Sequence, residues 1–494
     1  MRWTISAKTA RWVLLAIMAL AVVLRVASAL YQGNRVEPLP GIFDQLSYDG
    51  LARRLVEGHG FSFAEGHWPA TPAGAPTAHW SYLYTVYLAV VYAIFGMQPV
   101  AARLIQAVLV GILQTWLAWR IGRRVFGPAV GLVSAAFTAV YLYFVYYAGA
   151  LITETFYITA VMWVFDVAFR LSDAARAGRR VREWPLWVEL GIAVGVATLL
   201  RQLFLLVAPL LLLWIWWRRT RPAVAGGGAD SAGGRWSRLF GWKTLRGFVL
   251  AVAITGIMII PWTVRNYLVF HTLVPLNTNA GYVFYWANHP IYGTSFIGIL
   301  PADGPSYADL LPPELLNLNE AELDKALLAR GIGFVTADPI RYLMLSTSRG
   351  REYFKFWPSA DSSLVSNISR VGSFGIFLPF MIYGVVLASV RFVRSKDQEW
   401  RHHWSLPGVH DTVYLDASAD VDADSLSSAD RCLPLDLCCL WRHGFVRTDP
   451  PRLCSCGGRD ATGRSVAHTH VAGAWSCCVQ GLVRQCPFPA RNAP

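Results

Sequence analysis

Apolar runs separated by short polar turns recur along the chain from Trp12 to Val390. A membrane-spanning helix needs about 20 mostly apolar residues, so this pattern predicts repeated spans rather than one aqueous core. The predicted spans, about eight in number, cover residues 12–30, 100–119, 128–147, 155–169, 184–200, 203–217, 248–264 and 374–390. We therefore expect an all-α polytopic membrane protein.

Lys and Arg are concentrated in the turns at 120–124, 170–182 and 218–246. The positive-inside rule places these turns and the N-terminus in the cytoplasm, so an even number of spans must precede the first basic turn. Three apolar runs lie there. The run 82–95 is short and rich in tyrosine, so we interpret it as an interfacial or half-buried helix. This topology predicts a first outer loop at 31–99 and a second outer segment at 265–373.

The N-terminal run has two interpretations. Ala27-Ser28-Ala29 has the small-x-small pattern of a signal-peptidase site after an apolar stretch. Arg25 lies between that stretch and the site, and the run is long enough to span the membrane. We favour a retained anchor over a cleaved signal.

Composition agrees with a membrane protein. The 494 residues are 54% hydrophobic and 15% charged, whereas a soluble domain carries about 25% charged residues. A soluble enzyme is therefore excluded. The net charge of +13 comes with basic turns and with no aromatic-basic module, so we expect no nucleic-acid partner.

Charged residues also collect on the predicted outer face, where the positive-inside rule does not explain arginine. They include Asp44, Arg103, Glu154, Arg201 and Arg265. Arg201 lies between two apolar runs without a neighbouring acidic residue. A guanidinium matches the geometry of a phosphate, so Arg201 is a candidate clamp for an anionic headgroup. The alternative is an arginine that snorkels from a tight outer turn.

The acidic residues have alternatives of their own. Asp44 precedes a helical apolar pattern and is either an N-cap or a general base for an acceptor hydroxyl. Asp49 lies about 140° further round the same helix, so we expect it to be solvated. Glu154 is a second carboxylate, a ligand of a divalent metal ion or a helix cap.

A series of motifs runs from the N-terminus to about Arg394. The motifs are Asp44-x3-Tyr48, Leu51-Ala52, Gly58-x-Gly60-Phe61, Tyr84-x2-Tyr87, Ala101-Ala102-Arg103-Leu104, Gly122-Arg123-Arg124-Val125-Phe126-Gly127, Thr153-Glu154-Thr155 and Pro261-Trp262-Thr263-Val264-Arg265-Asn266. The series resembles the bacterial membrane glycosyltransferases of the C superfamily, which are relatives of protein O-mannosyltransferases and of the lipid A aminoarabinose transferase.

The resemblance implies a transmembrane bundle with a large first outer loop. It also implies sugar transfer, such as mannosyl transfer, from a polyprenyl-phosphate donor to a glycolipid or protein acceptor. The reaction would take place at the periplasmic face of the bacterial inner membrane, among membrane lipids. The family's first-loop acidic residue falls on Asp44, its outer glutamate on Glu154, and its outer arginines on Arg201 and Arg265. No cofactor is implied with certainty, and a divalent metal ion stays an open alternative.

Three further residues are candidate substrate contacts. Arg103 lies at the outer end of a predicted span, and Asn288 and His289 fall in what resembles the family's second outer loop. For Asn288 and His289 the alternative is turn chemistry before Pro290.

A rival function is a transporter or flippase that grips an anionic lipid or glycolipid in a transmembrane path. Such proteins place ionisable residues near the middle of the bilayer and break paired helices with Gly or Pro. Here the charges gather at one surface beside two long outer segments, which favours surface chemistry.

The tail at 397–494 differs from the preceding chain, since it holds all eight Cys and lacks Ile, Met and Lys. No Cys-x2-Cys spacing is present, so we do not predict a metal site there. We interpret the tail as a reading-frame shift that leaves a disordered cytoplasmic segment after a transferase-like region at 1–396.

Overall fold

The chain forms helices joined mostly by short turns, which confirms the predicted all-α polytopic fold class. The computed structural model describes residues 6–38, 43–176, 182–220, 242–297, 300, 304–358 and 364–394. The helices are α1 (Ala7–Gln32), α2 (Asp44–Val56), α3 (Tyr82–Phe95), α4 (Pro99–Phe126), α5 (Pro128–Val140), α6 (Leu142–Tyr147), α7 (Glu154–Arg176), α8 (Trp184–Leu200), α9 (Phe204–Thr220), α10 (Trp242–Phe270), α11 (Ala280–Asn288), α12 (Glu320–Ala337), α13 (Pro339–Tyr353), α14 (Leu364–Arg370) and α15 (Ile376–Arg394). In these ranges β-structure is limited to two isolated bridges. The predicted tail lies outside the described residues.

Five of the described helical segments are long and apolar enough to cross a membrane. They are Ala7–Gln32, Pro99–Phe126, Glu154–Ala174, Trp242–Phe270 and Asn367–Leu387. Three shorter apolar helices, α3, α5 and α8, accompany them. At about 1.5 Å per residue, the 14 residues of α3 reach well short of a hydrocarbon core about 30 Å thick.

The predicted span 128–147 is interrupted. Helix α5 ends at Val140, Tyr141 has extended backbone, and α6 begins at Leu142. The carbonyls of Thr138 and Ala139 at the end of α5 accept hydrogen bonds from the guanidinium of Arg25, at 2.9 and 3.2 Å. Arg25 is fully buried in α1, and the negative end of the α5 dipole stabilises its charge. The broken helix thus explains an arginine inside a predicted span.

The basic turns are paired with acidic side chains at the predicted cytoplasmic ends of the helices. Asp166 of α7 is fully buried and binds Arg120 and Arg170 at 3.0 and 2.9 Å. Arg219 of α9 binds Glu183 at 2.7 Å. Asp166 therefore joins the neighbouring helices α4 and α7.

The predicted outer segments 31–99 and 265–373 are tied together by one half-buried carboxylate. Glu320, the first residue of α12, accepts hydrogen bonds from the Ala78 N–H at 2.7 Å and from the hydroxyls of Thr71 and Thr278. Burial raises its pKa above the ordinary range, and these hydrogen bonds oppose the rise. The first outer loop and the second outer segment therefore share one hydrogen-bond network.

A second acidic residue of α12 anchors helix α11. The Asp324 carboxylate accepts the N–H groups of Gly281 and Tyr282, at 2.7 and 3.2 Å. These donors have no intrahelical partners at a helix N-terminus. A Cβ at Gly281 would lie only 1.7 Å from the Asp324 carbonyl oxygen, so this contact requires glycine.

Candidate functional site

Asp44 is the first residue of α2, in the predicted first outer loop. Phe43 occupies the N-cap position and no side-chain capping bond is formed, so the structure does not show the N-cap alternative for Asp44. Burial raises the pKa of Asp44 to about 6; the Glu154 carboxylate raises it as well, whereas Arg201 opposes the rise. The structure thus brings Asp44 into the electrostatic field of two predicted site residues.

Glu154 and Arg201 form an ion pair, and the charges of both act on the pKa of Asp44. Glu154 is the first residue of α7, and Arg201 follows the last residue of α8 with extended backbone. The Arg201 Nε also donates to the Thr153 hydroxyl at 3.2 Å. The side chains of Arg201 and Glu154 remain 40% and 36% exposed, so the pair is accessible to a ligand. Arg201 therefore has an acidic partner that is distant in sequence.

Tyr48 belongs to one of the sequence motifs, but sequence reasoning did not single it out as a neighbour of the candidate site. It lies four residues after Asp44 on α2, is buried, and packs edge-on against Trp80 and Tyr84 at ring distances of 5.6 and 5.0 Å. Burial raises the pKa of its hydroxyl, and the charges of Asp44 and Glu154 add to the rise. The available signal was helical spacing, because residues i and i+4 share one face of a helix.

Asp49 is not solvated, contrary to expectation. Its carboxylate binds Arg53 at 2.7 Å and accepts the Tyr92 hydroxyl, and its side chain is 13% exposed. The angular argument was correct in one respect, because Asp49 has different partners from Asp44. The solvated interpretation failed because α3 packs against α2 and supplies Tyr92.

Arg265 lies within α10, which continues beyond the predicted end of the span. Its Nη1 donates to the Thr77 carbonyl at 2.9 Å and to the Tyr82 hydroxyl at 3.2 Å. The guanidinium also lies near the rings of Phe61 and Phe270. Among the described residues, no contact joins Arg265 to Asp44, Glu154 or Arg201. Its described hydrogen-bond partners are Thr77, Tyr82 and the neighbouring Asn266.

Arg103 has a geometry that favours a structural role over a substrate contact. Its guanidinium is fully buried and donates to the carbonyls of Gln32, Gly33 and Arg35 and to the Gln45 side chain, at 3.1 Å for the last. These bonds join the end of α1 to the start of α2. They occupy donors that a substrate would need.

Asn288 and His289 are likewise occupied by local structure. Asn288 is buried, and its carbonyl groups accept hydrogen bonds from Arg341 and Arg349 of α13. The His289 Nδ1 accepts the Ile291 N–H at 3.3 Å, which is the turn chemistry considered as the alternative. These contacts also account for Arg349, a basic residue on the predicted outer side.

Metal ligands do not cluster in the described part of the chain. No group of three or more His, Cys, Asp or Glu residues there could hold a metal ion. Asp44 and Glu154 supply two carboxylates in one electrostatic environment.

Comparison with solved structures finds the oligosaccharyltransferase of Archaeoglobus fulgidus. Its apo form aligns at 13% identity with a TM-score of 0.48, covering 81% of this chain and 47% of the other. Its complex with Zn and sulfate gives 13% identity and a TM-score of 0.44, covering 82% of this chain and 46% of that one. The chain therefore spans about half the length of these structures. A comparison with curated proteins finds no match.

Residues 81–225 match the model of the dolichyl-phosphate-mannose-protein mannosyltransferase family. The matched segment contains Glu154, Arg201 and α3, and it ends before Arg265. Asp44 precedes it. Over this segment, the match agrees with the resemblance that the sequence motifs carry to the membrane glycosyltransferases of the C superfamily.

Proposed function

We propose that this protein transfers a sugar, such as mannose, from a polyprenyl-phosphate donor to an acceptor hydroxyl at the periplasmic face of a bacterial inner membrane. The observation that carries the proposal is the accessible Glu154–Arg201 ion pair at the ends of α7 and α8, whose two charges act on the buried carboxyl group of Asp44 at the start of α2. A carboxylate and a guanidinium in one partly buried site supply a base and an anion contact.

Asp44 would act as the general base. With a pKa of about 6, its carboxyl group is mostly ionised at pH 7 but still holds a proton better than an ordinary aspartate. Asp44 would take the proton of the acceptor hydroxyl while that oxygen bonds to the anomeric carbon of the sugar. The bond from that carbon to the phosphate oxygen would break, and the phosphate would leave with the electron pair.

Arg201 would stabilise the leaving phosphate. Its guanidinium presents several N–H donors in a plane, and the Glu154 and Thr153 bonds hold that plane in one orientation. Glu154 is thus an orienting residue in this proposal. Because the pair is accessible, the donor phosphate can bind without displacing buried groups.

Arg265, which hydrogen-bonds to Thr77 and Tyr82, would make a separate contact with the donor. Its described hydrogen bonds involve Nη1 alone. We leave Arg103, Asn288 and His289 out of the proposed site because local structure occupies their polar atoms. The acceptor would be a glycolipid or a protein.

The test uses membranes that contain the protein and labelled polyprenyl-phosphate hexoses. Wild-type membranes should transfer label to a lipid or protein fraction, and Arg201→Ala should lose most of this transfer. Gln98→Ala is the matched control, since Gln98 is an exposed outer-face amide bonded to Asn34. Equal transfer by wild type and Arg201→Ala would contradict the proposed phosphate contact.

A further inference from the structure

The residue after Arg201 is held by the second outer segment. Gln202 lies in a three-residue turn between α8 and α9, and its Oε1 accepts the Asn277 N–H at 3.2 Å. Its Nε2 donates to the Asn279 Oδ1. Both ends of the amide are therefore engaged, which fixes the orientation of the side chain.

The partners of Gln202 are themselves anchored. The Asn277 Nδ2 donates to the carbonyls of Ala78 and Trp80, at 3.2 and 2.7 Å. The Thr278 N–H donates to the Ala78 carbonyl at 3.1 Å. The segment 277–279 is thus a strap that joins the Gln202 turn to the first outer loop.

Arg201 and Gln202 are consecutive residues that face different partners. The Arg201 backbone is extended, with φ −148° and ψ 112°, and its side chain bonds Thr153 and Glu154. The Gln202 side chain bonds only the strap among its described contacts. A shift of the turn at Gln202 would therefore move the guanidinium of Arg201 relative to Asp44.

We infer that Gln202 is a positioning residue, which, through the strap 277–279, sets where the Arg201 guanidinium meets the donor phosphate. The inference rests on the proposed function, since it assigns Arg201 to that phosphate. An amide suits the position because it offers a donor and an acceptor together. Small displacements of a phosphate-binding group are costly, because catalysis depends on alignment of the reacting atoms.

The experiment measures sugar transfer and, separately, binding of a sugar-free polyprenyl phosphate to the purified full chain. We expect Gln202→Ala to lower kcat/KM about tenfold and to weaken phosphate binding, since the guanidinium loses its alignment. Gln98→Ala should change neither. Asn279→Asp should stay near wild type because a carboxylate still accepts from Nε2, whereas Asn279→Leu should reproduce the loss.

A double-mutant cycle separates positioning from general damage. In an Arg201→Lys background, the effect of Gln202→Ala should largely disappear, because the two residues act as one unit. Three results would overturn the inference. Gln202→Ala could lower kcat/KM by the same factor in both backgrounds, or it could behave like the wild-type protein. Asn279→Asp and Asn279→Leu could also reduce transfer equally. If Arg201→Lys itself has full activity and phosphate affinity, the proposed role of Arg201 fails first, and the inference about Gln202 falls with it.

Discussion

The guanidinium of Arg201 binds the carboxylate of Glu154, its partner 47 residues away in sequence, where α8 ends and α7 begins. Both groups act on Asp44, with opposite effects on its pKa. The ion pair therefore does two things in this account. It holds Arg201 for the donor phosphate, and it tunes the base that serves the acceptor.

The pH dependence of transfer should report this tuning. A general base must be deprotonated, so activity should rise with pH through the Asp44 pKa of about 6. Glu154→Gln removes a charge that raises this pKa, so the midpoint should move to lower pH. The measurement is kcat/KM against pH for wild type and Glu154→Gln, each normalised to its own maximum. A midpoint that stays fixed or moves to higher pH would show that Asp44 is not the group whose ionisation controls the activity.

The raised pKa of Asp44 also predicts a stability effect. The folded protein holds this proton more tightly than the unfolded chain, whose ordinary value is 3.8, so the ionised form costs stability as pH rises through about 6. Asp44→Asn should therefore unfold at a higher temperature than wild type at pH 7.5, and the gain should shrink towards pH 4. Thermal unfolding in detergent at both pH values measures it.

Asp309 provides a control, because its pKa is shifted in the opposite direction from that of Asp44. Hydrogen bonds from Ser306 hold the pKa of Asp309 below its ordinary value, so its ionised form favours folding. Asp309→Asn should show no gain at pH 7.5. A gain in both variants would indicate a general effect of removing negative charge.

Arg103 should behave as a structural residue. Arg103→Ala leaves the carbonyls of Gln32, Gly33 and Arg35 without this donor, at about 1–3 kcal/mol for each group that stays unpaired. We expect much less folded protein in membranes and a lower unfolding temperature. Arg351→Ala, at an exposed arginine, should change neither. Normal stability with a raised KM for the donor would instead restore Arg103 as a substrate contact.

Glu320 should hold the two outer segments together. Glu320→Ala removes the acceptor for the Ala78 N–H and for two threonine hydroxyls, so the first outer loop should become more sensitive to protease. The measurement is limited proteolysis of the purified protein. Glu65→Ala, at an exposed glutamate of the same loop, should cleave like wild type. Equal cleavage rates in the two variants would argue against this network.

Much of the helical framework was predictable, because the length of an apolar run in the sequence predicts the length of the helix that it forms. The run 184–200 coincides with α8, and the run 82–95 coincides with α3. The break at Tyr141 was not predictable, since no Gly or Pro marks it. It depends on Arg25, which is distant in sequence and supplies donors for the freed carbonyls. The end of α5 within the apolar run 128–147 thus coincides with a tertiary contact that the local sequence does not show.

The candidate site was predictable in its residue types but not in its pairings. Charged residues beside apolar runs are easy to recognise in a sequence, and this pattern identified Asp44, Glu154 and Arg201. Sequence spacing could not show that Arg103 caps α1 or that Arg265 faces the segment 77–82, because both depend on how distant segments pack. Tyr48 was named in a motif but not as a neighbour of the site, because a buried tyrosine looks like an ordinary core residue.

The most direct test compares Asp44→Asn with wild type in transfer of labelled sugar from a polyprenyl-phosphate donor. Asparagine keeps the size of the side chain and removes the base, so transfer should fall by about 10²- to 10⁴-fold. The amount of variant protein in the membrane should stay at the wild-type level, and Asp309→Asn should keep full activity. Undiminished transfer by Asp44→Asn would contradict the account.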